Sequence, residues 1–201
     1  MKKISREIEL YQLENSDFGS EFATKCIEKN IDINVDYEWY EHIIEDFKTI
    51  VELIGFYDVE CYFSGFWSQG DGASFKGRYS TDKRILQKIK SFAPKDEELH
   101  RIAKELQSIN NKCKYDLSFS INKSGRYEHE YTMSVSDIYS DTVSEDKAYS
   151  FEDELLELSR DLARWLHETL YSEYDYLTSD KVVFETLISN EYEFDEAGNI
   201  A

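Results

Sequence analysis

The segment Glu128-His129-Glu130 holds residue types that could do acid–base or metal chemistry. On a β-strand, alternate side chains share a face, so the two glutamates would lie about 7 Å apart and His129 would point to the other side. Such a pair of carboxylates could hold a metal ion or act as an acid and a base. One hypothesis is therefore a small metal-dependent hydrolase built on Glu128, His129 and Glu130, together with Asp71.

The rest of the chain gives this hypothesis little support. Neither His42 nor His167 has a second histidine four residues along, as a zinc pair on a helix requires, and no G-x-S-x-G motif occurs. The Gly70-Asp71-Gly72 turn is followed by a predicted strand, whereas a phosphate-binding loop leads into a helix N-terminus. We therefore predict a protein that is not an enzyme, with no catalytic residue, no metal and no cofactor.

Aromatic residues suggest binding instead. Phe66 and Trp67 precede the Gly-Asp-Gly turn within an aromatic-rich stretch. Core packing is the ordinary explanation for such residues, but aromatic side chains also concentrate the binding energy of protein interfaces. A base-stacking platform would need a basic groove, and only Lys76 and Arg78 lie close in the sequence. The alternative to a packed core is therefore a patch that binds a protein.

The charge is strongly asymmetric. The chain has 201 residues and a net charge of −19; residues 137–201 contain 18 acids and four bases, against 24 acids and 19 bases in residues 1–136. This field repels nucleic acid and anionic lipid. It favours a basic protein partner, especially one whose basic surface normally holds nucleic acid. The plainer interpretation is that the acidity keeps the protein soluble.

Composition narrows the class of protein further. The apolar fraction of 41% is too high for a disordered chain, and the apolar runs are too short to cross a membrane. The first residues lack the apolar core of a signal peptide. The three cysteines are odd in number and far apart, which is typical of reduced thiols. We expect a cytoplasmic protein.

Hydrophobic periodicity predicts the elements that must position these residues. Two β-hairpins forming an antiparallel sheet, packed with about five to six helices, indicate an α+β fold in a single domain over 1–201. The acidic helical part covers 150–190, and a loose tail covers 191–201. Strands are predicted at 4–12, 59–67, 73–80, 115–122 and 127–135, helices at 15–27, 36–54, 85–92, 94–109, 151–170 and 180–188, and a polar loop at 136–149.

The second hairpin has the clearest alternation. Tyr115, Leu117, Phe119 and Ile121 are predicted to be buried, with the polar residues between them exposed. After a turn at 122–125, the alternation continues through Tyr127, His129, Tyr131 and Met133. His129 is therefore predicted to lie on the core face of the sheet and to be structural.

Five segments together resemble a group of small phage and prophage proteins. The segments are 36–47, 62–75, 125–131, 162–171 and 174–180, and the most specific part is FSGFWSQGDGASF at 63–75. Members of the group are often labelled antitoxins of a toxin–antitoxin stability system. The resemblance implies a mobile-element origin and a role against a toxin or a host defence, and it implies no catalytic residue.

The leading hypothesis is an acidic inhibitor from a phage or mobile element. It would bind a nuclease or toxin, in the manner of an anti-CRISPR or anti-restriction protein, partly by imitating DNA, and it could form a homodimer. The alternative is a phage housekeeping adaptor with no host target. The candidate partner-binding residues are the acids of the last third of the chain and the turn at 66–71: Asp137, Asp141, Glu145, Asp146, Asp153, Glu157, Asp161, Glu168, Phe66, Trp67 and Asp71.

Overall fold

A computed structural model describes residues 9–201, so most of the predicted strand at 4–12 lies outside the described residues. The chain divides into two units. Among the described residues, the smaller combines residues 9–40 with Ser172–Ala201, and the larger is Glu41–Tyr171. The predicted α+β class is confirmed, while the single domain over 1–201 stays a prediction.

The elements follow one another in an order close to the predicted one. They are β1 (Tyr11–Gln12), α1 (Glu21–Lys29), α2 (Glu41–Ile54), β2 (Phe56–Phe63), β3 (Ala73–Ser80), α3 (Ile85–Phe92), α4 (Glu97–Lys112), β4 (Ser118–Lys123), β5 (Met133–Tyr139), α5 (Glu145–Tyr149), α6 (Glu152–Leu177), α7 (Asp180–Ser189) and β6 (Glu193–Phe194). No helix within residues 9–201 is long and apolar enough to cross a membrane.

The smaller unit has its own core. β1 pairs with β6 in an antiparallel ribbon. Buried residues of α1 and α7, among them Cys26 and Phe184, pack with Phe194. The segment 191–201 was expected to be held loosely, but Phe194 is fully buried and Gly198 lies against the backbone of α1. Phe194, with Tyr192 packed against the same core, thus anchors a largely acidic and polar tail.

The larger unit is built on one antiparallel sheet with the strand order β2-β3-β4-β5. The predicted alternation of β4 is confirmed, since Leu117, Phe119 and Ile121 are buried. Tyr115 is only half-buried because its φ of +60° places it in the turn that follows α4, before the strand begins at Ser118. The residues predicted to be exposed between them are half-buried.

Helix α2 closes the apolar face of this sheet. Its buried residues Ile43, Phe47, Ile50, Val51 and Ile54 repeat with the period of a helix. Gly55 follows the helix with a φ of +121°, and a Cβ there would lie 2.5 Å from the Ser80 carbonyl oxygen. Only glycine fits both the conformation and the space.

The predicted strand through His129 is wrong. The ladder between β4 and β5 ends with the pair Lys123 and Met133, and residues 124–132 form a longer loop. The Ser124 amide donates to the Thr132 carbonyl and closes this loop at its base, while Glu130–Thr132 form a 3-10 turn with His129 as its N-cap. His129 is therefore half-buried in a loop and does not lie on the core face of a strand.

The predicted loop at 136–149 is also wrong in part. β5 continues to Tyr139, and the short helix α5 starts behind Ser144, whose hydroxyl accepts from the Lys147 amide. α6 extends past the predicted end at 170 and reaches Leu177.

Candidate functional site

Two hairpin loops meet at one end of the sheet. They are residues 64–72, between β2 and β3, and residues 124–132, between β4 and β5; together we call them the loop end. A Cβ on Gly70 would lie 3.0 Å from the Tyr127 ring, and one on Gly72 would lie 3.1 Å from the Glu128 carbonyl oxygen. The glycines of the 62–75 segment thus let the second loop pack against the first.

One stripe of α6 holds both loops in place. Arg160, Arg164, His167 and Tyr171 follow one another at spacings of four, three and four residues, which puts them on one face of the helix. The Arg160 guanidinium lies 5.0 Å from the centre of the Tyr131 ring, and His167 Nε2 lies 3.2 Å from the Gly65 carbonyl oxygen. The loop end is therefore seated on a long helix.

Phe66 is the contact through which the first loop packs on that stripe. Its ring centre lies 5.3 Å from that of His167 and 5.5 Å from that of Tyr171. Phe66 is half-buried by these contacts, whereas its neighbour Trp67 points outward with 70% of its surface exposed. The two aromatic residues that the sequence singled out thus have different roles, one as support and one as exposed surface.

Asp71 shapes the first loop from within. Its Oδ2 accepts hydrogen bonds from the amides of Ser68, at 2.7 Å, and Trp67, at 3.1 Å. The hydrogen bond from Ser68 and then that from Trp67 favour the ionised form and lower the pKa of Asp71 below its ordinary value of 3.8. The carboxylate therefore acts on the Trp67 backbone, which makes Asp71 a positioning residue for Trp67.

Four aromatic side chains are exposed at or beside the loop end. Tyr131 is 67% exposed, and Tyr127 and Tyr171 are also exposed, together with Trp67. We call these four the aromatic platform. Exposed aromatic groups on a fixed backbone are the usual anchors of protein interfaces, because their burial yields much contact area for little lost side-chain entropy.

The two glutamates of the hydrolase hypothesis bind different partners within the protein. Lys123 Nζ donates to Glu128 Oε1 at 2.9 Å, while Glu130 Oε2 lies 2.9 Å from His129 Nδ1 and its other oxygen 3.8 Å from Arg164. Glu128 thus pairs with Lys123 and Glu130 lies near Arg164, so the two carboxylates are held by different cations. Among the described residues 9–201, no cluster of three or more metal-ligating side chains occurs.

Two of the predicted acids of α6 are bound within the protein. Asp161 is only 17% exposed and bridges Arg101 of α4, at 2.5 Å, and Arg164. Glu157 lies 2.5 Å from Arg160. Their charges are therefore largely offset where they stand, and a reversal of Asp161 would place a cation between two arginines.

The other predicted acids are open to solvent. Asp153 and Glu168 are exposed on α6, and within residues 9–201 neither forms an ion pair. Glu145 and Asp146 are exposed in the first turn of α5. Asp137 and Glu145 line the same hollow of about 530 Å³. Asp141 accepts a hydrogen bond from the hydroxyl of Tyr139, which lines that hollow as well.

The chain belongs to a family described as a domain of unknown function (DUF8835), whose model matches residues 39–180. The matched segment contains the whole larger unit and with it both hairpin loops. Comparisons with curated proteins and with solved structures find no match.

The role of Asp71 gives a first prediction. Because its pKa is lowered in the folded protein, its contribution to the loop is complete above pH 3.8 and is lost as the pH falls through the lowered value. We expect the amide resonances of Trp67 and Ser68 to titrate with a midpoint below 3.8 in a ¹⁵N NMR titration. In Asp71→Ala this titration should vanish; a midpoint at or above 3.8 would contradict the assigned hydrogen bonds.

Proposed function

We propose that this protein is a non-enzymatic inhibitor from a phage or mobile element, and that it binds a basic, nucleic-acid-handling protein in the cytoplasm of a bacterial host. A CRISPR nuclease complex, a restriction enzyme or a toxin has the required chemistry. The single observation that carries the proposal is the aromatic platform, in which three exposed aromatic side chains on two loops that contact α6 stand with exposed Tyr171 of α6 itself.

The charge of the protein supports this kind of partner. Exposed acids such as Glu168, next to the His167 that seats the loop end, belong to a chain of net charge −19. A summed field of this sign speeds encounter with a basic surface and disfavours nucleic acid itself. In this proposal the acids steer the partner and the platform holds it, so the imitation of DNA is partial.

The same proposal gives the antitoxin label a physical meaning. A toxin that acts on nucleic acid has a basic active face, and an acidic protein that covers this face would prevent access. The 62–75 segment, which carries the resemblance to the phage group, is also the segment that builds Trp67 and its support into the loop end.

Affinity capture from a lysate of phage-infected host cells, at low and at high salt, tests the proposal. The bait is compared with a variant in which four exposed acids of α5 and α6 are neutralised: Glu145→Gln, Asp146→Asn, Glu152→Gln and Glu168→Gln. A matched control neutralises four exposed acids of α1 and α2: Glu28→Gln, Glu41→Gln, Glu45→Gln and Glu52→Gln.

We expect the wild-type protein and the control to retain a basic nucleic-acid-binding protein at low salt. The α5–α6 variant should capture it more slowly, since many weak exposed charges act together. Added duplex DNA should release the captured protein. Retention of phage proteins alone, with no host protein among them, would instead favour a housekeeping adaptor.

A further inference from the structure

The segment 82–95 is basic in an otherwise acidic protein. It contains five bases and one acid, and it consists of α3 and the residues that flank it. Lys83, Arg84, Lys90 and Lys95 are exposed, while Lys88 is held by Asp82 at 2.7 Å. We call this surface the α3 face. Its local charge is opposite to that of the molecule as a whole.

The α3 face contains two hollows in addition to its positive charge. A hollow of about 510 Å³ lies on one side of the helix, and a second of about 390 Å³ lies on the other; Arg84, Gln87 and Ser91 form the ridge between them. Phe92, at the end of α3, is 47% exposed and lines the larger hollow. An apolar ring among cations is typical of a surface that packs against an acidic partner.

An acidic groove lies between α4 and α6. Its volume is about 520 Å³, and it is lined by Glu105, Asp153, Glu154 and Glu157 over a floor that includes Ile109 and Leu158. Its charged lining also includes Asp161, Arg101 and Lys112. Arg101 is already bound to Glu98, Glu105 and Asp161. Asp153 and Glu154 are exposed and form no ion pair within the described chain.

The α3 face and this groove flank the same helix. Gln107 of α4 accepts from the Leu86 amide of α3 at 3.2 Å and lines the smaller hollow. Glu105 and Ile109 of α4 line the acidic groove. At 3.6 residues per turn, these two sets of side chains point to roughly opposite sides of α4. A positive and a negative surface therefore stand side by side, with α4 between them.

Two neighbouring surfaces of opposite charge complement themselves under two-fold symmetry. In an isologous contact, each surface of one copy meets the other surface of its partner, and the contact occurs twice. We infer that this protein forms a two-fold dimer across α4, in which the α3 face of each copy lies on the acidic groove of the other. Phe92 adds apolar area above the floor of that groove.

The net charge does not prevent this pairing. Charges beyond about 8 Å are screened at physiological salt, so the charges that meet in the contact outweigh the repulsion between distant parts of the two copies. Attraction between the charges in the contact and repulsion between the net charges of the two copies respond to salt in opposite ways. A contact made by complementary charges weakens when salt is added, whereas a contact limited by net repulsion strengthens.

Sedimentation equilibrium of the full chain tests this inference with two charge-reversed variants. One carries Arg84→Glu and Lys90→Glu on the α3 face, and the other carries Asp153→Lys and Glu154→Lys in the groove. The matched control carries Lys29→Glu and Lys181→Glu, both exposed and both in the smaller unit. Circular dichroism confirms folding, and Arg84→Gln with Lys90→Gln replaces the first variant if that one does not fold.

We expect a dimer at low salt that dissociates in 1 M salt, where screening acts within about 3 Å. Each reversed variant should dimerise at least about a hundredfold more weakly, because like charges then meet twice. An equimolar mixture of the two should regain the dimer, since both contacts of the mixed pair are again complementary. The control should behave as the wild type.

Several results would overturn the inference. They are a monomer at every concentration, a dimer that strengthens with salt, growth beyond the dimer, or reversed variants that dimerise as the wild type or do not recover on mixing. None of these measurements involves the host partner, so the dimer and the proposed function can fail separately.

Discussion

Replacing Trp67 and Tyr131 together with alanine is expected to weaken binding of the basic partner by at least about a hundredfold. Both side chains are largely exposed in the free protein, and because Tyr131 also contacts Arg160 of α6, circular dichroism first checks that the variant folds. Central aromatic anchors of interfaces commonly cost about 2 kcal/mol or more each when truncated, and about 1.4 kcal/mol is a tenfold change in affinity. Surface plasmon resonance with the captured partner measures the change, which should lie mainly in the dissociation rate.

The control for this variant removes exposed tyrosines from other places. Tyr37 lies before α2 and Tyr57 lies on β2, and both are exposed. Tyr37→Ala with Tyr57→Ala should leave the affinity within about threefold of the wild type, as is typical of residues outside an interface. Equal losses in the two variants would show that the loop end has no special part in binding.

Phe47→Ala is expected to lower the free energy of unfolding by about 3–5 kcal/mol. Phe47 is fully buried on α2, with its ring centre 5.6 Å from that of Phe75 on the sheet and 6.3 Å from that of Trp165 on α6. Its removal leaves a cavity where three elements of the larger unit meet. Urea denaturation measures the loss.

The comparison for Phe47→Ala is Tyr37→Ala, which removes a ring that is 88% exposed. We expect the free energy of unfolding of this variant to lie within about 0.5 kcal/mol of the wild-type value. A small effect of Phe47→Ala would contradict the packing of α2 between the sheet and α6, the helix that contacts the loop end.

Periodic segments with one buried face could be predicted from the sequence. The stripe of α2 and the alternation of β4 each bury one face, so a shifted register would expose a whole set of apolar side chains. The loop at 124–132 could not be predicted in this way. The alternation of Tyr127, Tyr131 and Met133 fits a strand equally well, and only contacts with Gly70 and Arg160 show that the two tyrosines lie on a loop.

The candidate site was therefore predicted in part. Phe66 and Trp67 were singled out from the turn that they precede, whereas Tyr127 and Tyr131 were assigned to the core. The ion pair between Asp161 and Arg101 joins residues 60 positions apart, which no local pattern indicates. The basic segment of the α3 face can be read from the sequence, but the net charge of residues 1–136 is negative and does not reveal it.

The central claim is that this protein covers a basic surface which otherwise holds nucleic acid. The most direct measurement is a displacement titration, in which the purified partner is first bound to fluorescent duplex DNA and the protein is then added. Anisotropy should fall to the value of free DNA as the protein is added, and Trp67→Ala with Tyr131→Ala should not produce the fall at the same concentrations. A rise in anisotropy, from a complex that contains partner, DNA and protein together, would contradict the claim.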